Sequence, residues 1–284
     1  ESSTTTSTIP TAGMRSGNFA DLLAINRRIT DPSTRAPFPD NAIPASRIDP
    51  VSRTLVQLYP QPQNAALNAN YLVNAPVKND TLRWDFKTDV QLSSKDSLNW
   101  RLSKMNTETP AVLPLPAPAY GGNPFDSLTE GYNTGSTWNH LWTPNLIMSV
   151  RSGWSLALFK RDNPADTLGE LFNRKYGIKG GNDSIPGGFT QMGITGYRAL
   201  GLGPNNPVDR DSQNRQVAVD LSWVRGKHSI KVGANQIWSQ NNIYNIRSEI
   251  GAYTFNNRFP TDGMADFLLG MASNYAWSSR IQVD

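Results

Sequence analysis

The feature that most constrains this chain is a two-residue alternation between residues 82 and 92, in which apolar side chains and Thr88 alternate with charged side chains and Gln91. Successive side chains of an extended strand point to opposite faces, so this stretch predicts a strand with one apolar face and one charged face. A turn at residues 93–96 and a second alternating stretch at 98–103 complete a hairpin. The alternating apolar residues are Leu82, Trp84, Phe86, Val90 and Leu92.

The same pattern recurs along the rest of the chain, with short turns at residues 143–145 and 225–227. Counting these repeats, we expect about eight strands, each about 10 to 15 residues long, against the usual length of about 5 to 6. Strands of this length are unusual for a soluble domain. The further predicted strands cover residues 132–142, 146–158, 217–223, 230–234 and 273–283.

Long polar connections alternate with the short turns, at about residues 108–130, 161–212 and 243–271. Short turns therefore fall at one end of the sheet and long loops at the other. Long alternating strands with such sorted loops predict an all-β fold, namely part of an antiparallel transmembrane β-barrel with lipid outside and water inside. A soluble sandwich would have shorter strands and no reason to sort its loops by length.

Residues 1–78 form a different region from the strands and loops of residues 79–284. Frequent prolines leave no long uninterrupted element, so we expect an extended, loop-like segment with two short helices. The clearer helix covers 50–58, because Asp49 can cap its first turn and Pro50 suits its first position. A weaker helix is predicted at 18–23.

Composition argues against several other kinds of protein. The chain has no cysteine, and its only histidines, His140 and His228, stand alone in strand patterns, where we expect structural roles. No run of about 18 apolar residues is present that could form a transmembrane helix. Asp209, Asp211 and Gln213 superficially resemble a calcium loop, but its glycine and glutamate are missing, and we expect a polar loop. The net charge is +4 and the charged residues are scattered along the chain, so the charge does not indicate binding to nucleic acid. We expect no enzyme activity, cofactor or metal.

The eight tryptophans are the candidate functional residues of the chain. All eight are predicted to lie in strands, several close to strand ends, where an indole ring suits the headgroup level of a bilayer. The alternative is that they are ordinary core aromatics of a soluble β-protein. The candidate membrane-interface residues are Trp84, Trp100, Trp138, Trp142, Trp154, Trp223, Trp238 and Trp277.

Ordered sequence blocks over nearly the whole chain resemble one family, the Oar-like TonB-dependent outer-membrane transporters. The blocks before residue 80 are similar to a loop of that family's early barrel, and the later ones resemble its strand-turn-strand segments. Any single block alone would be weak. The blocks are TAGMRSGNF at 11–19, DP at 31–32, PFP at 37–39, NAIPASRIDP at 41–50, LYPQP at 58–62, WTPNLI at 142–147, WVRGKHSIKVG at 223–233 and ADFLLG at 265–270.

The resemblance implies a barrel of about 22 strands around a plug, in the outer membrane of a Gram-negative bacterium, importing a bulky nutrient with energy from TonB. The long loops would face the cell exterior. The sequence shows no plug, no TonB-box segment and no N-terminal regulatory-like domain, so we expect an internal portion of a longer chain. Its implied partners are membrane lipid, the rest of the barrel and plug, the TonB complex through the missing N-terminal part, and an unknown ligand.

A second function from another class stays open. A β-rich extracellular chain could serve a structural or adhesive role, assembling with copies or partners through exposed strand edges. A sheet taken from a larger barrel has two unpaired edges, which in hydrocarbon cost several kcal/mol per unsatisfied group. Such a sheet therefore needs either the rest of its barrel or another partner to cover its edges.

Overall fold

The computed structural model describes residues 2–122, 124–164, 171–180, 188–203, 208–245, 250–259 and 261–278. Strands dominate, joined by short helices, and no described helix has the length and apolar character needed to cross a membrane. The strands are β1 (Ser2–Ser7), β2 (Tyr71–Pro76), β3 (Asp80–Gln91), β4 (Asp96–Thr109), β5 (Asp126–Thr143), β6 (Leu146–Asp162), β7 (Gln191–Ile194), β8 (Val208–Arg225), β9 (His228–Asn245), β10 (Ala252–Phe255) and β11 (Asn274–Ala276). The α-helices are α1 (Ala12–Arg15), α2 (Pro50–Val56), α3 (Phe172–Tyr176) and α4 (Gly263–Leu268), with 3-10 turns at Ala20–Ile25, Pro39–Asn41 and Ala45–Arg47.

Six long antiparallel strands form one open sheet in the order β3-β4-β5-β6-β8-β9. The three predicted hairpins, β3-β4, β5-β6 and β8-β9, are all present, and their short turns lie at one end of the sheet. The expected number of about eight long strands is wrong for the described residues, which contain six. The predicted strand at 273–283 is only the three-residue β11, and residues 279–284 lie outside the described part.

The six strands are 12 to 18 residues long, so they extend beyond the predicted ends. The connections shrink accordingly to residues 110–125 and 163–207, and the third begins at 246. Asp209, Asp211 and Gln213 lie in β8 and not in a loop, which corrects the sequence expectation. The reason is physical: these strand ends carry polar side chains on both faces, so they lack the alternation that marks a strand.

Neighbouring hairpins are staggered along the strand direction. The row of paired residues that passes Gln91 and Ser97, at the end of the first hairpin, crosses β8 at Asp220. That strand continues five residues further, to Arg225. A progressive stagger of this kind is what strand tilt produces in the wall of a barrel.

A separate packed unit, which we call the cap, combines residues 2–76 with parts of the long connections. Its core joins side chains that are far apart in sequence, such as Ile9, Phe38, Phe189 and Phe267, all 5% exposed or less. Two small sheets belong to it: the ribbon β1-β2, and β11-β10-β7, in which β7 and β10 are parallel. Residues from the first 78 positions supply about half of this buried core.

Local caps and buried amides fix the irregular backbone of this unit. The predicted helix α2 is confirmed, and the Asp49 carboxylate accepts a hydrogen bond from the Ser52 N–H at 2.9 Å. The buried Asn41 side chain accepts from the Ile29 N–H at 2.6 Å and donates to the Phe19 carbonyl at 2.7 Å. Such bonds satisfy backbone groups that neither helix nor sheet pairs. The weaker predicted helix at 18–23 is the 3-10 turn Ala20–Ile25.

Candidate functional site

One face of the six-stranded sheet is apolar and aromatic, and we call it the apolar face. Directly paired residues share a face, so the strand register assigns each paired side chain to one face. Many of these side chains are exposed to solvent in the isolated chain: Leu82 is 69% exposed and Val232 is 64% exposed. Exposed apolar area of this extent marks a surface that something else covers. Its main residues are Leu82, Trp84, Phe86, Val90, Leu98, Trp100, Leu102, Trp138, Met148, Val150, Trp154, Val217, Val219, Leu221, Trp223, Ile230, Val232 and Trp238.

The opposite face is rich in charges and amides. On β3, Arg83 pairs with Asp85 at 3.0 Å and Lys87 with Asp89 at 2.9 Å. Further along the sheet, Arg151 pairs with Asp220. These groups line a surface that suits water, as in the interior of a barrel.

A glycine makes room for the Arg151–Asp220 pair on this polar face. Gly233 lies directly opposite Asp220 in the register, and a Cβ there would come within 2.5 Å of the Asp220 Oδ1. The pair borders a polar cavity of about 620 Å³, to which Lys231 and Asn235 also contribute. Positive and negative groups thus share one concave region, which suits a polar solute more than an apolar one.

On β8 the apolar face ends partway along the strand. From its short turn this strand presents Trp223, Leu221, Val219 and Val217. Arg215 follows, and the remaining residues on this face are polar. At about 3.4 Å per residue, the 18 residues extend about 60 Å, whereas an apolar band is about 25 Å tall in outer-membrane barrels. This strand thus continues well past the apolar band towards the long connections.

Six of the eight predicted tryptophans lie on the apolar face, and all six belong to the long strands: Trp84, Trp100, Trp138, Trp154, Trp223 and Trp238. Trp142 lies where the β5-β6 register shifts, and its ring contacts that of His140 at 4.7 Å between centroids. Trp277 follows β11, outside the large sheet. The tryptophans do not form a single row of paired residues, and their role at a membrane interface stays a prediction.

Both histidines lie in the large sheet. The His140 Nδ1 is 2.6 Å from the Asp96 Oδ1, and the Trp138 indole N–H donates to the same oxygen at 3.1 Å. His228 pairs with Arg225 at the start of β9. In the described part of the chain, no three His, Asp or Glu side chains come close enough together to hold a metal ion.

The cap contains a second concavity, of about 390 Å³, between α2, α4 and β10. Its walls are mostly apolar, including Leu55, Met192 and Phe267, and Tyr253 adds a hydroxyl that donates to the Lys179 carbonyl at 2.6 Å. A concave, mainly apolar site with a few polar groups is the usual form of a ligand pocket. Sequence reasoning missed it, because its lining comes from five separate stretches of the chain.

Buried acidic and phenolic groups lie in the same unit. Burial raises the pKa of the Tyr59 and Tyr197 hydroxyls well above their ordinary value. Burial also raises the pKa of Asp262, although that carboxylate caps α4 and lies 3.2 Å from the Arg27 guanidinium. For Asp266, burial raises the pKa to about 6, against hydrogen bonds from the Arg258 and Phe259 N–H groups. These groups belong to the cap and do not line the polar face of the sheet.

Comparison with known proteins places this geometry in context. Residues 1–283 match the family model of the outer membrane beta barrel domain. No curated protein matches the sequence. Among solved structures, the outer membrane transporter YddB from Escherichia coli is similar, with a TM-score of 0.41 and 10% identity over 64% of this chain. The match spans only 22% of the length of that transporter.

Proposed function

Because the chain belongs to the outer membrane beta barrel domain family, we propose that it forms part of the wall of a TonB-dependent transporter that imports a bulky nutrient. The observation that carries this proposal is the division of the sheet into an apolar face and a charged face. Lipid would cover the first, and water and solute would meet the second. The open edges, β3 and β9, would pair with the remaining strands of the barrel.

The rest of the transporter follows from the same proposal. The complete barrel would have about 22 strands and enclose a plug, with the TonB complex acting through an N-terminal part of the protein. The cap, at the end of the sheet that carries the long connections, would face the cell exterior. Its apolar concavity and the charged face below would then meet the ligand in turn. We assign no catalytic step, cofactor or nucleic-acid partner to the chain.

The experiment that tests transport compares three strains of the source bacterium in one peptide-rich medium. One strain lacks the complete gene, one carries it on a plasmid, and one carries it but lacks a functional TonB complex. Mass spectrometry of the spent medium measures which bulky components each strain removes. We expect at least one component to be removed only when both the gene and TonB are present. Equal removal by all three strains, with the barrel protein present in the membrane, would contradict the proposal.

A second candidate function is structural or adhesive, and the two unpaired edges of the described sheet favour it. In that case strands of other copies or partners would pair with β3 and β9. The same strains distinguish the two functions. Adhesion predicts that deletion of the gene changes cell aggregation and leaves the removal of every medium component unchanged.

A further inference from the structure

A groove of about 660 Å³ crosses the apolar face near the middle of the sheet. Three tryptophans from three different strands form its walls: Trp100 from β4, Trp154 from β6 and Trp238 from β9. Small side chains form its floor, with Ser136 paired directly with Ser152. The volume falls within the range of about 300 to 1,000 Å³ that is typical of ligand pockets.

The polar atoms on the floor of this groove satisfy one another. The Ser136 and Ser152 hydroxyls form a hydrogen bond at 2.8 Å. The Trp100 indole N–H donates to the Thr134 hydroxyl, also at 2.8 Å. An apolar occupant would therefore leave these groups paired, so that it would not incur the cost of burying an unsatisfied donor. A hydrocarbon chain between aromatic walls meets this condition.

A cation lines the groove. Arg215 lies between Trp154 and Trp238 in the same row of paired residues, at the boundary where the apolar face of β8 becomes polar. Its only described side-chain bond is a 3.5 Å contact with the Gln213 amide oxygen. No carboxylate of the described residues forms an ion pair with it. A guanidinium at this boundary matches the charge and geometry of a phosphate.

We propose that this groove binds one phosphate-bearing membrane lipid, with an acyl chain between the three tryptophans and the phosphate on Arg215. The inference depends on the apolar face meeting lipid, as the family implies. It does not depend on transport, because a barrel with any function presents this face to the bilayer. An ordinary annular lipid would exchange freely, whereas the lipid in this groove stays bound when detergent removes the others.

Native mass spectrometry of the complete purified protein in detergent tests this site. The probes are phosphatidylglycerol, a diacylglycerol with the same acyl chains, and inorganic phosphate. We expect one phosphatidylglycerol to be retained, diacylglycerol to bind at least about tenfold more weakly, and inorganic phosphate not to displace the lipid. The tenfold figure reflects the loss of one charge-assisted contact.

Substitutions in the groove sharpen the test. Arg215→Gln should weaken retention about tenfold and Arg215→Lys less, because lysine keeps the charge without the planar donor geometry. Ser152→Phe should abolish retention by filling the floor, and a phenylalanine on a lipid-facing surface leaves the barrel folded. Arg225→Gln is the matched control, since Arg225 lies on the same strand and the same face, outside the groove.

Several outcomes would overturn the proposal. Equal retention of phosphatidylglycerol by the Arg215→Gln and unaltered proteins would show that the lipid phosphate does not bind Arg215. Equal binding of diacylglycerol would leave only a non-specific apolar surface. A dimer that Ser152→Phe dissociates would show that a second copy fills the groove. Loss of lipid in the Arg225→Gln control would indicate that any change of charge on this strand has the same effect.

Discussion

The cap and the six-stranded sheet handle apolar side chains in opposite ways. The cap turns them inward, as with Leu55, Phe189 and Met264, which are completely buried. Among the described apolar residues of the long strands, only Val208 and Ala218 are buried, whereas Trp84, Phe86 and Val232 are exposed. The cap is thus built like a small soluble domain. The sheet is built as a surface.

This difference shows where each region obtains its stability. The cap covers its own apolar area, and burial of each large side chain contributes about 1.5 to 3 kcal/mol. In the sheet, backbone hydrogen bonds form between neighbouring strands. Its apolar side chains, however, must be covered by lipid and by further strands. One chain therefore combines a region that is stabilised by burying its own apolar side chains with a region whose apolar side chains need a bilayer. Substitutions should therefore affect the stability of the two regions separately.

The largest expected effect is on the core of the cap. Phe267 is 1% exposed and packs edge-on against Phe255, with ring centroids 5.2 Å apart. Phe267→Ala should destabilise the cap by about 3 to 5 kcal/mol, because it removes buried area and leaves a cavity. Hydrogen exchange of the complete protein, followed by mass spectrometry, should show faster exchange across α2, α4 and β10.

The matched control is the same substitution on the sheet. Phe86 is 50% exposed on the apolar face, where its ring also packs against Trp100 with centroids 5.5 Å apart, so Phe86→Ala removes a side chain that the protein covers only in part. It should leave exchange in the cap unchanged. If Phe86→Ala loosened the cap as much as Phe267→Ala, the two regions would not be energetically separate.

A charge placed on the apolar face should have the next largest effect. Val219 lies within the apolar band of β8, between Val150 and Ala234 in its row. Val219→Arg should cost about 2 to 4 kcal/mol in the unfolding free energy, the range measured for arginine near the middle of a bilayer. Urea titration of the complete protein in lipid vesicles measures this value. Gln216→Arg, on the polar face of the same strand, is the control and should cost less than about 1 kcal/mol.

The hairpins could be predicted because alternation is a local signal that survives wherever one face of a strand is apolar. The strand ends at residues 209–215 and 239–242 could not, because both of their faces are polar. The core of the cap escaped prediction for another reason. Residues such as Ile9, Leu115 and Phe189 stand singly in irregular segments, without a period, and only the fold brings them together.

The candidate site divides along the same line. Side chains alternate between the two faces of a strand, and this alternation alone predicts that Trp84, Trp100 and Trp138 lie on apolar faces. The groove and Arg215 depend on which residue of one strand lies opposite which residue of the next. That register joins Trp154, Arg215 and Trp238 across long stretches of chain, and no local pattern encodes it.

The smallest expected effect is a pH dependence confined to the cap. Asp266 is fully buried, and its pKa is raised from an ordinary 3.8 to about 6. The folded cap therefore holds this proton more tightly than the unfolded chain does, so this stabilisation is fully present below about pH 4 and is lost as pH rises through 6. Exchange at α4, corrected for intrinsic rates, should be about tenfold faster at pH 7 than at pH 4.5. Asp266→Asn should remove the difference between the two pH values, whatever it does to the absolute rate. A variant that kept the full difference would assign the effect to another group, with the neighbouring Asp262 the first to replace, since burial raises its pKa in the same direction.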